Sequence, residues 1–142
     1  MSALFTKETQ SIFWNNNKSA IQRMLDYDYV INREKPSVAA IVAPTADSKF
    51  DKFFYGPDEI MIPLFKNTAE AAKAFPKADV LLNFASFRTA YDVTMEAIEL
   101  KQFKTIMVTA EGIPERLARK MNVTARSKGV TVIGPEIGRA HV

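Results

Sequence analysis

The sequence predicts an α/β fold of the Rossmann-like, doubly wound type, with a mostly parallel sheet of at least five strands. Short apolar, β-branched runs alternate along the chain with segments whose apolar residues recur at helical spacing. Parallel strands joined by crossover helices require this alternation. The chain of 142 residues is long enough to form one domain with a hydrophobic core.

The first strand, the first helix and the second strand are predicted within residues 10–42. Residues 10–14 and 37–42 are apolar runs typical of buried strands. Between them, Asn17 can cap a helix, because its side chain can accept a hydrogen bond from the first turn. The apolar positions of that helix are Ile21, Met24 and Leu25.

A short hairpin-like insertion and a second helix are predicted next. Residues 53–55 and 60–63 are strand-like and flank a Gly-Pro-Asp turn signal. Asn67, with Glu70 three residues later, resembles a capping box that begins a helix. Pro76 is expected to end this helix, because proline cannot continue the hydrogen-bond ladder.

The second half of the chain is predicted to hold three strands and two helices. The strands are expected at 79–83, 105–109 and 131–133, and the helices at about 89–100 and 113–129. Pro114 suits the first turn of the last helix, where a missing N–H costs nothing, and Gly129 suits its carboxyl end.

Composition excludes several classes of function. The net charge of +3 is mild and its charges are interspersed, which argues against a nucleic-acid partner and is compatible with an anionic small ligand. Without cysteine the chain has neither disulfides nor thiol chemistry, and this agrees with a reducing compartment. No apolar run is long enough to span a membrane, and the first residues lack a secretory pattern, so we expect a cytoplasmic protein.

Candidate functional residues lie in the loops that follow the strands, because ligands bind there in open α/β sheets. The loop after the first strand, WNNNKS, carries asparagines where a dinucleotide-binding fold carries glycines, which argues against NAD. Asparagine still permits a tight turn. Lys18 either contacts an anion or is a solvated lysine.

Two further loops carry aromatic and charged candidates. Phe84 and Phe87 either line a slot for a thin ligand arm or belong to the core, while Arg88 can meet a phosphate or carboxylate or remain solvated. Glu111 is expected where a strand meets a helix N-terminus, either as a partner of the helix dipole or as a reactive carboxylate. His141, the only histidine, is given no catalytic role, and no metal-ligand spacing occurs.

Five segments resemble the coenzyme-A-binding domain of the ATP-citrate lyase family, which is related to the α subunit of succinyl-CoA synthetase: TAEGIPE, VTVIGP, DVLLNFASFR, IQRMLDYDYV and EKPSVAAIV. The resemblance implies a CoA-binding domain over residues 1–135 of an enzyme that makes acetyl-CoA and oxaloacetate from citrate, CoA and ATP. ATP and Mg would be bound elsewhere in that enzyme, together with citrate. Other subunits or domains, and an oligomer, are also implied.

The resemblance also implies site residues. The CoA-contacting residues expected from it and from the loop positions are Asn17, Lys18, Ser19, Ala20, Pro44, Lys49, Ser86, Arg88, Thr109 and Ala110. Lys52 is the alternative to Lys49 as the phosphate-binding lysine of the second loop. Glu111 would be catalytic and would face the phosphohistidine or the citryl phosphate.

The end of the chain departs from the family pattern. Residues 136–142, EIGRAHV, can be back-translated to the start of a common sequencing adapter and are expected to be a non-native tail. The family's phosphate-carrying histidine, ATP-grasp half and lyase domain are not in the sequence, so the chain by itself is expected to be inactive. Two alternatives stay open: a succinyl-CoA synthetase α-type ligase fragment, which would carry glycines at 15–17, and a non-catalytic CoA-binding module.

Overall fold

The computed structural model describes residues 8–134, which form a seven-stranded sheet and four helices. The strands are β1 (Ser11–Trp14), β2 (Val38–Val42), β3 (Phe50–Tyr55), β4 (Asp58–Phe65), β5 (Val80–Asn83), β6 (Thr105–Val108) and β7 (Thr131–Ile133). The helices are α1 (Lys18–Val30), α2 (Thr68–Ala74), α3 (Phe87–Leu100) and α4 (Glu115–Ser127). The predicted α/β fold is confirmed. The predicted tail 136–142 and His141 lie outside the described residues.

The sheet is doubly wound, with the order β3-β4-β2-β1-β5-β6-β7. Every neighbouring pair is parallel except β3 and β4, which form an antiparallel hairpin at one edge. The chain moves outward from β1 to β2 and β4, returns through α2 to β5, and then continues to β7. The strand order therefore reverses between β1 and β5, which makes the crevice above them the topological switch point.

Successive strand residues point into two cores on opposite faces of the sheet. Ile12 and Leu81 pack with residues of α2, α3 and α4, whereas Phe13 and Leu82 pack with α1 and the β3–β4 hairpin. These four side chains are buried. Burial of one such side chain stabilises the fold by about 1.5–3 kcal/mol, so the strands form a rigid base for the loops that follow them.

The two predicted asparagine caps are confirmed. The Oδ1 of Asn17 accepts a hydrogen bond from the backbone N–H of Ala20 at 3.1 Å, and the Oδ1 of Asn67 accepts one from Glu70 at 2.8 Å. Each cap satisfies an N–H group that the helix itself leaves without a partner. Gly129 follows α4 with a φ of +74°, which glycine adopts without strain.

Three predicted boundaries are wrong. The hairpin strands β3 and β4 are longer than the short pieces predicted, because β4 also pairs with β2 and so belongs to the main sheet. Helix α3 begins at Phe87, two residues before the predicted start at Thr89. Pro114 is the N-cap residue of α4 rather than part of its first turn, since its ψ of 137° is extended, and α4 begins at Glu115.

Neither a membrane span nor a metal cluster is found within residues 8–134. The longest helix described, α3, has 14 residues, and no described helix combines the length and apolar character that crossing a bilayer requires. Over the same residues, no group of three or more histidine, aspartate or glutamate side chains is placed to hold a metal ion.

Candidate functional site

The candidate site lies at the carboxyl edge of the sheet, where the loops after β1, β5 and β6 are tied together. Asn15 follows β1, and its Nδ2 donates a hydrogen bond to the carbonyl of Phe84 at 3.2 Å. Thr109 follows β6, and its N–H and its hydroxyl both donate to the carbonyl of Asn83 at 3.2 Å. These bonds fix the three loops around the switch point.

The first loop makes its tight turn without glycine. Asn15 has a φ of +85°, in the left-handed region that asparagine tolerates better than most residues, so asparagine does permit the turn here. Asn17 is engaged as the cap of α1, where its Oδ1 accepts from the hydroxyl of Ser19 and from the N–H of Ala20, both at 3.1 Å. The backbone N–H groups at the start of α1, beginning with Lys18, are placed where phosphates bind to helices.

The ammonium of Lys18 is held by a carboxylate from the hairpin. Its Nζ lies 3.2 Å from Oδ1 of Asp51 and 5.1 Å from the centroid of the Phe53 ring. The other oxygen of Asp51 accepts from Nδ2 of Asn16 at 2.8 Å. Burial by itself raises the pKa of Asp51, but the hydrogen bonds from Asn16, the Lys52 N–H and Lys18, together with the Lys18 charge, hold it below its usual value.

Two lysines, one in the second loop and one after β4, lie at the same pocket. Lys49 and Lys66 both line a pocket of about 410 Å³ at the carboxyl ends of β2 and β4. Lys52, the alternative candidate, instead pairs with Glu59 at 3.4 Å on the hairpin. Pro44 is exposed and lines a neighbouring crevice that also includes Lys66. This arrangement favours Lys49 over Lys52 and adds Lys66, which the sequence reasoning missed.

The third loop is shaped by a buried asparagine side chain. Asn83 is fully buried, accepts from the N–H of Ala85 at 3.0 Å and donates to the hydroxyl of Thr94 at 3.0 Å. This anchors the turn that leads into α3. Ser86 is the N-cap residue of α3, yet its side chain makes no capping hydrogen bond, so its hydroxyl is available for a ligand.

The aromatic residues of the third loop divide between core and surface. Phe84 stacks on Phe13 with ring centroids 5.3 Å apart, which supports the core interpretation for this residue. Phe87 is exposed, and the guanidinium of Arg88 lies 5.4 Å from the centroid of its ring. In the described part of the chain, no carboxylate lies within ion-pair distance of Arg88.

Glu111 is an exposed carboxylate on the loop between β6 and α4. The next residue, Gly112, has a φ of +88°, and a Cβ built there would lie 3.8 Å from the ring of Phe87, so this loop approaches the start of α3. Because α4 begins only at Glu115, the carboxylate in its first turn is Glu115. The helix-dipole interpretation therefore fits Glu115 better than Glu111.

A larger groove of about 740 Å³ lies away from this edge, beside α1. Its apolar wall includes Met24, Leu82 and Met107. Its charged groups are paired within the protein, since Asp28 lies 3.9 Å from Arg33 and accepts a hydrogen bond from a neighbouring serine N–H at 2.7 Å. Among the described residues that line it, the groove therefore presents no unpaired cation to a phosphate.

Comparisons with known proteins find relatives that are named as ATP-citrate synthases. ATP-citrate synthase of Bos taurus is 52% identical over 134 residues, which are 94% of this chain and 12% of the bovine protein. The probable ATP-citrate synthase subunit 1 of Schizosaccharomyces pombe is 42% identical over 132 residues, which are 93% of this chain and 22% of the yeast protein. No protein-family model matches the chain.

A solved structure supports the same relationship. ATP citrate lyase from Methanothrix soehngenii, in complex with citrate and coenzyme A, matches with a TM-score of 0.91 and 45% identity. The match covers 93% of this chain and 21% of that chain. The present chain thus spans a small part of the length of the relatives that it matches.

Proposed function

We propose that this chain, which belongs to the ATP-citrate synthase family over the residues compared, supplies the part of such an enzyme that binds coenzyme A. The complete enzyme would make acetyl-CoA and oxaloacetate from citrate, CoA and ATP. Citrate, ATP and Mg would then be bound mainly by other domains or subunits. Support comes from the relatives' names and from the neighbouring structure, which contains citrate and coenzyme A.

The observation that carries the proposal is the convergence of cations at the carboxyl edge of the sheet. Lys18, Lys49 and Arg88 follow three different strands, and the N-termini of α1 and α3 open toward the same edge. Phosphates are stabilised both by such cations and by helix N-terminal N–H groups. The residues present therefore fit a ligand that carries several phosphates, as CoA does.

The remaining candidates contribute shorter-range contacts in this proposal. The hydroxyl of Ser86 and the backbone of Thr109 and Ala110 would bind the uncharged parts of CoA near the switch point. Glu111, exposed beside them, would face the phosphorylated group of the complete enzyme and position or polarise it by its charge. The catalytic assignment of Glu111 rests on its place in the loop and on the family resemblance.

The alternative of a succinyl-CoA synthetase α-type ligase is less well supported. The curated relatives and the neighbouring structure are named as citrate enzymes. In the first loop, Asn15 provides the left-handed residue that glycine would provide in a glycine-rich loop. We therefore retain the citrate enzyme as the proposed parent.

Titration calorimetry of the 142-residue chain with CoA and with NAD tests the proposal. We expect weak but measurable CoA binding and weaker or undetectable NAD binding, because the first loop lacks the glycine pattern of NAD sites. Equal or tighter binding of NAD would overturn the assignment. A heat-denatured sample of the same chain provides the control for nonspecific heats.

A further inference from the structure

We infer that Asp51 weakens and tunes CoA binding by competing with a ligand phosphate for the ammonium of Lys18. The inference rests on the proposed function, because it concerns the first loop of the same site. Neither the loop sequence nor the family resemblance assigns a role to Asp51. Asp51 lies on β3 next to the first loop, where its carboxylate contacts Lys18.

The geometry places Asp51 where a ligand anion would otherwise be expected. One oxygen lies 3.2 Å from Nζ of Lys18 and also accepts from the N–H of Lys52 at 2.9 Å. The other oxygen accepts from Asn16 at 2.8 Å. Asp51 is thus fixed by backbone and side-chain donors, whereas Lys18 has a flexible side chain that is 60% exposed. Lys18 is the partner that can move.

The charge of Asp51 affects how strongly Lys18 attracts a phosphate. A carboxylate beside Lys18 cancels much of the attraction that this lysine offers to a phosphate. A ligand must therefore draw Lys18 away from Asp51 or share it with that carboxylate. Removing the charge of Asp51 while keeping its shape leaves Lys18 available, so binding of a phosphate at the first loop should become tighter.

The decisive experiment is a double-mutant cycle on the 142-residue chain. Asp51→Asn removes the charge and keeps an oxygen for Asn16, and Lys18→Met removes the ammonium. Dissociation constants for CoA and for pyrophosphate are measured by calorimetry for wild type, both single variants and the double variant. Glu59→Gln is the matched control, because it removes a carboxylate that pairs with Lys52 on the same hairpin.

We expect Asp51→Asn to tighten CoA binding about fivefold, the size of a well-formed ion pair near a surface. In the Lys18→Met background the same substitution should change affinity by less than about twofold, and so should Glu59→Gln alone. Asp51→Ser, a second neutral variant, should reproduce the gain if Asp51→Asn folds poorly. Circular dichroism of every variant establishes that the fold is intact.

Two results would overturn the inference: no gain from either neutral variant, or a gain that persists without Lys18 or appears equally with Glu59→Gln. The pyrophosphate arm separates this inference from the proposed function. If no variant binds CoA but Asp51→Asn binds pyrophosphate more tightly through Lys18, the proposed function fails, and only the competition between Asp51 and a phosphate for Lys18 stands. If neither ligand binds to any variant, both fail.

Discussion

The side-chain amide of Asn15 donates a hydrogen bond to the backbone carbonyl of Phe84 at 3.2 Å and so bridges the two strands between which the sheet reverses its order. Asn15 does this with a φ of +85°, in the place where other doubly wound folds use glycine. One residue therefore supplies both the turn conformation and the link between the loops.

Substitutions of Asn15 should distinguish the stability contributed by its left-handed backbone from that contributed by its hydrogen bond to Phe84. Asn15→Ala should destabilise the chain by about 1–2 kcal/mol for the left-handed conformation, in addition to the lost hydrogen bond. Asn15→Gly loses only the bond and should cost about 1 kcal/mol or less. Urea denaturation measures the free energy of unfolding of both variants. The same two substitutions at Asn32 are the control, because Asn32 also has a left-handed φ, of +63°, but lies outside this loop. Equal stability of the Ala and Gly variants would show that the backbone at Asn15 is not constrained.

Arg88 should carry a large share of the affinity for CoA. Its guanidinium is exposed beside Phe87, so Arg88→Gln should leave the fold intact and weaken CoA binding about tenfold or more, the loss expected for a charged hydrogen bond. Arg126→Gln is the matched control, since Arg126 lies in the last turn of α4, at the opposite end of the sheet. If the two variants bind CoA equally well, Arg88 is a solvated surface residue.

Glu111→Gln should leave the stability of the chain nearly unchanged and should lower the turnover of a complete enzyme. The side chain is exposed, so the melting temperature of this chain should change little. In a complete ATP-citrate synthase that carries the same loop, we expect turnover to fall about a hundredfold, because a positioned charge at the reacting group is lost. Glu115→Gln, in the first turn of α4 and paired with Arg119 at 2.6 Å, serves as the control. Unchanged turnover would remove Glu111 from the catalytic site.

Because its hydrogen bonds favour the ionised carboxylate, Asp51 should make the stability of the chain depend on pH in the acid range. The folded state holds its pKa below the usual value, so the carboxylate stabilises the fold at neutral pH and this contribution fades as pH falls below about 4. Wild type should therefore exceed Asp51→Asn in free energy of unfolding at pH 6, and the difference should shrink toward pH 3. Urea titrations at both pH values provide the measurement. A difference that grows on acidification would contradict the direction given for this pKa.

The sequence predicted the features that depend on neighbours along the chain. The caps Asn17 and Asn67 and the buried strands were found from local patterns, because a cap or a period involves only a few consecutive residues. Asp51 could not be found this way, because β3 brings it to Lys18 across 33 positions of sequence. The start of α4 was misplaced, because the loop before it stays extended through Pro114.

The lysine at position 66 was missed for a similar reason. Lys66 follows β4, and only the pairing of β4 with β2 brings it beside Lys49. The sequence suggested a short insertion and so did not place the end of β4 at the carboxyl edge. Helix and strand periodicity identify elements, whereas the neighbours of a site depend on the order in which the strands pair.

The most direct test of the central claim is a nuclear magnetic resonance titration of the ¹⁵N-labelled chain with CoA. We expect saturable amide shifts concentrated at residues 15–20, 44–49, 86–88 and 109–112, and much smaller shifts with NAD at the same concentration. Arg88→Gln should reduce the shifts without changing the spectrum elsewhere. Shifts concentrated instead around the groove at Met24 and Met107, or no saturable shifts at all, would contradict a CoA site at the carboxyl edge of the sheet.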